Sequence, residues 1–366
     1  MLPALTDKAA RNAQVVTAVI LAGVALNWLA PILTPLALAV FLMLMVDALA
    51  RDLHARLPSL GPGASLGAAV ITCSVAFVAI VFVVASRAAG FVGKLVDYQP
   101  RLNTFLHGLA TRGHLAVPRT VSALIASLNP TSYIPTVAAA VQTLITFGAF
   151  VLIYLGFLLA ARGGFERKMV RLFRGRTGRH EAVQVYVRIR DALERYLFVQ
   201  TVCGAMIAIG SFAMMLAVGL ESAFFWAFLI FVIGYIPIVG AAVGILAPTL
   251  FAFLQFPSAW PGILLGCGLF ALAFLVGNIL MPRMQGRALN IDPVMVLLSL
   301  AFWGALWGPT GMFLSTPLTL LVMVVLAQFD GSHWIAVLLS ADGDPHSFGE
   351  APAAPSHKSE AAALTG

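Results

Sequence analysis

The sequence has little charge for its length. Asp, Glu, Lys and Arg together make up 10% of its 366 residues, whereas hydrophobic residues make up 60% and the mean hydropathy is +0.96. A soluble globular domain carries about 25% charged residues. The low charge therefore excludes a soluble domain and predicts an all-α integral membrane protein that crosses the bilayer several times.

Cysteine and histidine are also scarce. The three cysteines, Cys73, Cys203 and Cys267, lie inside apolar runs, so we expect buried free thiols and neither a disulfide framework nor a metal site. No H-E-x-x-H pattern occurs, and the membrane part of the second half contains no histidine. A membrane enzyme would need such constellations. We therefore predict a protein that is not an enzyme and uses neither a cofactor nor a metal.

The net charge of +7 comes mainly from basic residues that lie between apolar runs. The segment from Arg162 to Arg195 contains ten basic residues against four acidic ones. Cytoplasmic loops of membrane proteins carry such an excess. We predict that this loop and both termini are cytoplasmic, and the same placement argues against nucleic-acid binding.

Apolar runs divide the chain into five regions that contain about eight membrane segments. Two spans joined by a short turn are predicted first, and the Ala-, Pro- and Ser-rich tail from Ala341 is predicted to be disordered. The regions are residues 1–61 (spans 1 and 2), 62–137 (span 3 and extracytoplasmic amphipathic helices), 138–195 (span 4 and the basic loop), 196–330 (an almost uncharged transport core) and 331–366 (the C-terminal segment and tail).

The longest uncharged stretch is interrupted at its centre. The 34 residues from Ser222 to Gln255 carry no charge. One straight helix of this length would span about 51 Å, more than the ~30 Å hydrocarbon core, whereas two full crossings need roughly 40 residues and a turn. Pro237 removes a backbone donor and Gly240 permits a sharp bend. Because freed backbone groups in a membrane need protein or a water-filled cavity beside them, we predict a re-entrant hairpin whose tip faces a transport pathway.

The last apolar run has a second interruption, at Trp307-Gly308-Pro309-Thr310-Gly311. A span followed by a Pro/Gly-interrupted segment thus occurs twice. Interrupted segments in corresponding positions of two halves are typical of the binding site of a transporter. We predict two re-entrant hairpins that form an inverted repeat in the second half.

The candidate site residues lie at these two breaks and on the span between them. Backbone amides and carbonyls freed at the breaks can solvate a polar solute, and an amide side chain is costly to bury in lipid. Close helix packing explains the glycines equally well. The substrate-pathway candidates are Tyr235, Pro237, Gly240, Asn278, Gly308, Gly311, Ser315 and Pro317.

Two carboxylates border the spans of the second half, Glu221 and Asp292. They are the candidates for ion coupling. Asp292 precedes Pro293, however, and an aspartate before a proline is also typical of a helix N-cap followed by proline at the first helical position. The N-cap interpretation is the preferred one for Asp292.

Four motifs, in the same order along the chain, resemble those of the autoinducer-2 exporter family of bacterial membrane permeases. The resemblance covers roughly residues 13–340. The motifs are Tyr196-Leu197-Phe198-Val199-Gln200, Ile236-Pro237-Ile238-Val239-Gly240, Pro282-Arg283-Met284-Gln285-Gly286 through Ile291-Asp292-Pro293, and Gly308-Pro309-Thr310-Gly311 with Pro317. Asp292 departs from the leucine or histidine that many members carry before the proline.

The resemblance implies a transporter in the bacterial inner membrane. It would move a small polar solute, or a signal molecule such as autoinducer-2, by an elevator-like movement. Its implied partners are a small-molecule or ion substrate, membrane lipids and further copies of itself, as a homo-oligomer of five chains. A sodium/proton antiporter of the same family is the alternative, and a membrane scaffold that transports nothing is a lesser one.

Overall fold

The computed structural model describes residues 20–97, 130–172, 176–285, 290–329 and 331–345, together with residues 14, 17, 18 and 347. Within these ranges almost every residue is helical, and β structure is confined to an isolated antiparallel bridge between Ile291 and Ser340. The predicted all-α class is confirmed. The predicted extracytoplasmic helices between residues 98 and 129 lie outside the described residues.

The helices follow the apolar runs of the sequence. Residues 20–28 are helical, and the numbered helices are α1 (Ala30–Arg56), α2 (Pro62–Asp97), α3 (Pro130–Leu172), α4 (Arg176–Val218), α5 (Ala223–Ile233), α6 (Val239–Gln255), α7 (Trp260–Leu275), α8 (Met281–Gln285), α9 (Pro293–Ala327) and α10 (His333–Leu339). A π-helical turn, Val276–Leu280, joins α7 to α8. Six described segments, belonging to α1, α2, α3, α4, α7–α8 and α9, are long and apolar enough to cross a membrane. The structure therefore confirms the multispanning class.

The N-terminal apolar run forms two helical stretches that meet at a kink. The kink lies at Leu29, whose φ of −82° and ψ of −1° are close to helical values. Leu29 N donates to Ala25 O and Leu33 N donates to Leu29 O, both at 2.9 Å, as in an α-helix. Pro31 lacks an N–H group and so weakens the helix only locally. Residues 20–28 and α1 therefore meet at Leu29 without an intervening loop, and the number of spans that they form stays a prediction.

The first predicted break separates α5 from α6. Their 11 and 17 residues correspond to about 17 and 26 Å of helix, so each is shorter than the ~30 Å hydrocarbon core. A Cβ on Gly244 would lie 3.3 Å from Ile230 Cγ1, and the rings of Trp226 and Phe251 are 5.5 Å apart. The later residue of α6 in these two pairs contacts the earlier residue of α5, so the two helices are antiparallel. We call residues 223–255 hairpin 1.

Gln255 closes the open end of hairpin 1. Its Oε1 accepts a hydrogen bond from Glu221 N at 2.7 Å, and its Nε2 donates to Gly219 O at 2.8 Å. One side chain thereby joins the end of α6 to the loop that precedes α5. The hairpin is consequently fixed at its base as well as at its tip.

The second predicted break is confirmed at Gly308, whose φ of 61° and ψ of −145° interrupt α9. Trp303 Nε1 donates to Thr319 Oγ1 at 3.2 Å. Sixteen residues of straight helix would separate these positions by about 24 Å, so the two arms of α9 fold back on each other. We call residues 293–327 hairpin 2.

The two hairpins pack in different groups of helices. Hairpin 1 shares a buried core with α4 and α7, in which Met215, Trp226 and Leu265 take part. Hairpin 2 contacts the N-terminal helices: Asn27 Nδ2 donates to Leu306 O at 3.0 Å, and Trp307 Nε1 donates to Leu26 O at 3.1 Å. We refer to residues 20–97, α3 and hairpin 2 as the N-terminal group, and to α4–α8 as the central group.

The three thiols are in different environments. Cys203 is buried, as expected, whereas Cys73 is half-buried and Cys267 is exposed. In a membrane protein an apolar run can face lipid instead of the protein interior. The expectation of burial is therefore wrong for Cys267.

Candidate functional site

A cavity of about 680 Å³ lies beside the tip of hairpin 1. Its walls come from α4, both arms of hairpin 1 and the α7–α8 segment. The remaining side is closed by Asn290, Ile291, Val296, Thr316, Ala341 and Asp342. The cavity therefore lies at the boundary of the central group with hairpin 2 and the C-terminal segment.

One face of α4 forms the longest wall of the cavity. Tyr196, Gln200, Gly204, Ile207 and Ser211 all line it. Their spacing of three or four residues places them on the same side of a helix. The wall consequently presents polar side chains at both of its ends and small or apolar groups between them.

The tip of hairpin 1 enters the cavity. Gly234, Ile236, Pro237, Ile238 and Gly240 line it. Ile238 has a φ of 64°, a left-handed conformation that is costly for a β-branched residue. Pro237 and Gly240 thus both line the cavity, whereas their role in a transport pathway stays a prediction.

The glycines at both breaks allow the arms of each hairpin to approach closely. A Cβ on Gly240 would lie 2.8 Å from Gly234 Cα, and a Cβ on Gly311 would lie 2.7 Å from the carbonyl carbon of Trp303. Real Cβ atoms do not approach backbone atoms so closely. Only glycine fits at these two positions, which agrees with the packing interpretation of their spacing.

Hairpin 2 contributes less of the cavity than the sequence predicts. Thr316 lines it, whereas Gly308, Gly311, Ser315 and Pro317 are absent from the lining. Ser315 is fully buried, and its Oγ donates to Met312 O at 2.8 Å within its own helix. The tip of this hairpin instead reaches the kink at residues 26–29. These four candidates therefore lie together in hairpin 2 but away from the cavity.

Tyr235 and Asn278 lie beside the cavity without lining it. The Tyr235 hydroxyl is hydrogen-bonded to Thr201 Oγ1 at 2.8 Å, and its ring stacks on Phe313 with centroids 5.0 Å apart. Tyr235 therefore joins the tip of hairpin 1 to hairpin 2. Asn278 is exposed and donates to Phe274 O at 3.2 Å in its own helix, while its neighbour Gly277 lines the cavity.

The candidate coupling carboxylates are outside the cavity. Glu221 lies at the base of hairpin 1, where its backbone N–H is held by Gln255. Asp292 Oδ1 accepts hydrogen bonds from Val294 N at 2.8 Å and Met295 N at 3.3 Å. The N-cap interpretation of Asp292 is thus confirmed. A coupling role for either residue stays a prediction.

Sequence reasoning missed a polar cluster at one end of the cavity. Asn290 is buried, has a φ of 47°, and its Nδ2 donates to Asp342 Oδ1 and Ser347 Oγ at 2.7 Å and to Asp344 O at 2.9 Å. Ala341 N donates to Asn290 O at 3.1 Å. The sequence predicts a disordered tail that begins at Ala341. In the structure, Ala341, Asp342 and Asp344 are hydrogen-bonded to Asn290. No local pattern connects positions 290 and 342.

Hydrogen bonding fixes the charge of Asp342. The bond from Asn290, followed by those from the backbone N–H of Asp344 and the Ser347 hydroxyl, lowers the pKa of Asp342 to about 2. Asp342 is therefore ionised at neutral pH. Among the described residues that line the cavity it carries the only formal charge, because no Lys, Arg or His belongs to that lining.

Gln200 was also missed as a site residue, although it ends one of the quoted motifs. It is only 9% exposed, and its Nε2 donates to Gly234 O at 2.7 Å across the cavity wall. A polar residue in an otherwise apolar span is the sequence signal that could have indicated it.

Comparisons with known proteins agree with this arrangement. The chain is 35% identical over 178 residues to the "AI-2 transport protein TqsA" of Escherichia coli (strain K12), covering 49% of each protein. It is 37% identical over 121 residues to "Putative transport protein YhhT" of the same organism, covering 33% of this chain and 34% of that protein. It is 29% identical over 224 residues to a "Putative transport protein" of Borreliella burgdorferi, covering 58% and 59%.

These matches span about half of the length of the curated relatives. The sequence model of the family described as AI-2E family transporter matches far more of the chain, residues 15–331. That range includes both hairpins and every helix that lines the cavity. The resemblance inferred from the motifs is confirmed, and the chain belongs to the AI-2E transporter family.

Proposed function

We propose that this membrane permease moves a small polar solute or signal molecule, such as autoinducer-2, across the bacterial inner membrane. The observation that carries the proposal is the cavity of about 680 Å³ into which the interrupted backbone of hairpin 1 projects. Broken helices beside a cavity form the binding sites of many transporters. The name of the Escherichia coli relative supports autoinducer-2 as the first solute to test.

We propose an elevator-like movement of the central group against the N-terminal group. The cavity lies at their boundary. Contacts across that boundary include the Tyr235–Phe313 stack, the ion pair of Arg51 with Glu194 and a buried core that contains Phe41 and Leu197. An elevator-like displacement would have to exchange these contacts for others, because a close-packed core does not slide intact.

The proposal includes two re-entrant hairpins that open to opposite sides as an inverted repeat. The two arms of hairpin 1, α5 and α6, are each shorter than the thickness of the hydrocarbon core. If hairpin 1 returns to the side on which it began, α7 brings Arg283 to the same side as the basic loop before α4. That placement satisfies the positive-inside rule and puts the C-terminus in the cytoplasm.

We also propose that the protein works as a homo-oligomer, a pentamer as the family resemblance implies. The outer faces of α2 and α3 carry large exposed apolar side chains such as Phe82 and Phe157. Such a surface suits contacts with lipid or with another copy of the chain.

Sodium/proton antiport is the second candidate function. The observation that favours it is Asp342, an ionised carboxylate in the lining of the cavity. A fixed negative charge attracts cations to that end. Its low pKa, however, keeps it from exchanging protons near neutral pH, so protons would have to bind elsewhere.

Flux through purified protein in liposomes tests the proposal. Vesicles loaded with autoinducer-2 should lose it faster than protein-free vesicles, with and without imposed sodium and proton gradients. Protein whose hairpin 1 tip is obstructed by Gly240→Leu is the matched negative control. Proton movement driven by sodium without solute flux would favour the antiporter, and no flux of any kind would favour a scaffold.

A further inference from the structure

We propose that Gln200 recognises a hydroxyl group of the transported solute through its Oε1 atom, and that the solute is uncharged. This inference rests on the proposed transport function and assigns its recognition residue. It follows from how the break in hairpin 1 fixes the Gln200 amide.

The first step is the carbonyl group of Gly234. In a continuous helix it would accept from the N–H of the residue three or four positions later. The residue three positions later is Pro237, which has no N–H. Within the described residues Ile238 N does not replace it, and the carbonyl receives its hydrogen bond from Gln200 Nε2 at 2.7 Å.

The second step is the orientation of the amide. A carbonyl oxygen can only accept, so the Gln200 group that faces Gly234 O is the NH₂ group and not the oxygen. Oε1 therefore points away from Gly234. Within the described part of the chain it has no hydrogen-bond partner, and Gln200 lines the cavity. The side chain is 91% buried, since only 9% of the residue is exposed.

The third step is the chemistry of a ligand that fits. An acceptor fixed in a mostly buried wall requires a donor, such as a hydroxyl group. Tyr196, one helical turn away, and Thr316 also line the cavity, and their hydroxyl groups interact with each other.

The charge of the lining narrows the ligand class. An anion would find no Lys, Arg or His among the described lining residues and would be repelled by Asp342. Among the described lining residues a cation would find a counter-charge only at Asp342, whose carboxylate already accepts hydrogen bonds from Asn290 and Ser347. A small neutral solute with hydroxyl groups matches the α4 wall best.

Binding of small neutral sugars to the purified full chain tests this inference. The probes are D-ribose, its single-deoxy analogues and D-ribonate, with affinities measured by calorimetry. Wild-type protein should bind ribose about tenfold more tightly than one of the deoxy analogues, as expected for one lost hydrogen bond to a buried group. It should bind ribonate more weakly than ribose.

Gln200→Met removes the amide at nearly constant size. In this variant the preference for ribose over that deoxy analogue should fall from about tenfold to about onefold. Gln255→Met is the matched control, because Gln255 also fixes hairpin 1 through a backbone carbonyl but does not line the cavity. Gln255→Met should keep the wild-type ratio even if both absolute affinities fall.

The outcomes distinguish recognition of the solute by Gln200 from stabilisation of hairpin 1 by the same side chain. An unchanged ratio in Gln200→Met, or an equal loss of the ratio in Gln255→Met, overturns the role of Oε1. Ribonate binding as tight as ribose binding, or no ribose binding at millimolar concentration, overturns the neutral class. Discrimination in binding without autoinducer-2 flux would contradict only the proposed function.

Discussion

Arg51 on α1 forms an ion pair with Glu194 on α4, and this contact ties the N-terminal group to the central group. Glu194 is only 4% exposed, and Arg190 lies 3.6 Å from its other oxygen. A carboxylate this deeply buried depends on its cationic partners, because removing one partner leaves an uncompensated charge. The pair is therefore a sensitive point of the boundary between the two groups.

Arg51→Ala should lower the stability of the purified protein by about 2–4 kcal/mol, since it strands the buried Glu194 carboxylate. Arg56→Ala is the matched control. Arg56 pairs with Asp52 in the same helix, with side chains that are 70% and 44% exposed, so its loss should cost less than about 1 kcal/mol. Thermal unfolding in detergent compares the two variants. Equal effects would show that Glu194 does not need Arg51.

Gly240→Ala and Gly311→Ala should each destabilise the protein by about 1–3 kcal/mol, because the new methyl group collides with backbone of the facing arm. Autoinducer-2 flux should fall with the distortion of the hairpin tips. Gly277→Ala is the control: Gly277 lines the same cavity, but its Cβ would meet nothing within 4 Å. Wild-type stability and flux in Gly240→Ala would contradict the close approach of the arms.

The docking of the C-terminal segment on Asn290 should not change near neutral pH. The pKa of Asp342 is lowered, so its stabilising charge is fully present above the ordinary Asp pKa of about 3.9 and is lost only as the pH falls towards about 2. Hydrogen exchange at the Ala341 amide, which donates to Asn290 O, reports the docking. Its protection factor should stay constant from about pH 5 to 8.

Asn290→Ala should remove that protection, because Asp342, Asp344 and Ser347 all lose their shared donor. His333→Ala, in the preceding helix but outside this cluster, provides the comparison. In the wild-type protein, a protection factor of the Ala341 amide that falls as the pH is lowered from 8 to 5 would show that the docking depends on a group other than Asp342.

The junction at Leu29 makes a topological prediction. If residues 20–56 keep one direction across it, their 37 residues follow a path of about 55 Å, more than the ~40–45 Å of a bilayer with its headgroups. Single cysteines at Gln14 and Leu57, in a background without Cys73, Cys203 and Cys267, should therefore react with an impermeant reagent from opposite sides. The distribution of basic residues predicts instead that Gln14 and Leu57 lie on the same side. The experiment therefore distinguishes one crossing of the membrane from two.

A third single cysteine, at Gln285, tests hairpin 1 in the same background. If hairpin 1 is re-entrant, Gln285 and Leu57 should both be protected in intact cells and react in inverted vesicles. Reaction of Gln285 from outside would mean that residues 223–255 make a full crossing. Reaction of Gln14 and Leu57 from one side would restore the two-span prediction.

The sequence by itself determined the helical membrane class, the family and the positions of both helix breaks. These depend on composition and on local stereochemistry: a long uncharged run belongs in lipid, proline lacks an N–H group, and glycine adopts a positive φ. The breaks at residues 234–240 and at Gly308 follow from such local rules, and so does the N-cap at Asp292.

Only the tertiary structure decided which side chains reach the cavity. Thr316 lines it and Ser315 does not, because the packing of hairpin 2 against the N-terminal helices sets its rotation. The Gln200 bond to Gly234 and the docking of Asp342 on Asn290 join residues through packing that no local pattern encodes. Long-range contacts of this kind depend on the summed fit of whole helices, so they become visible only when the helices are assembled.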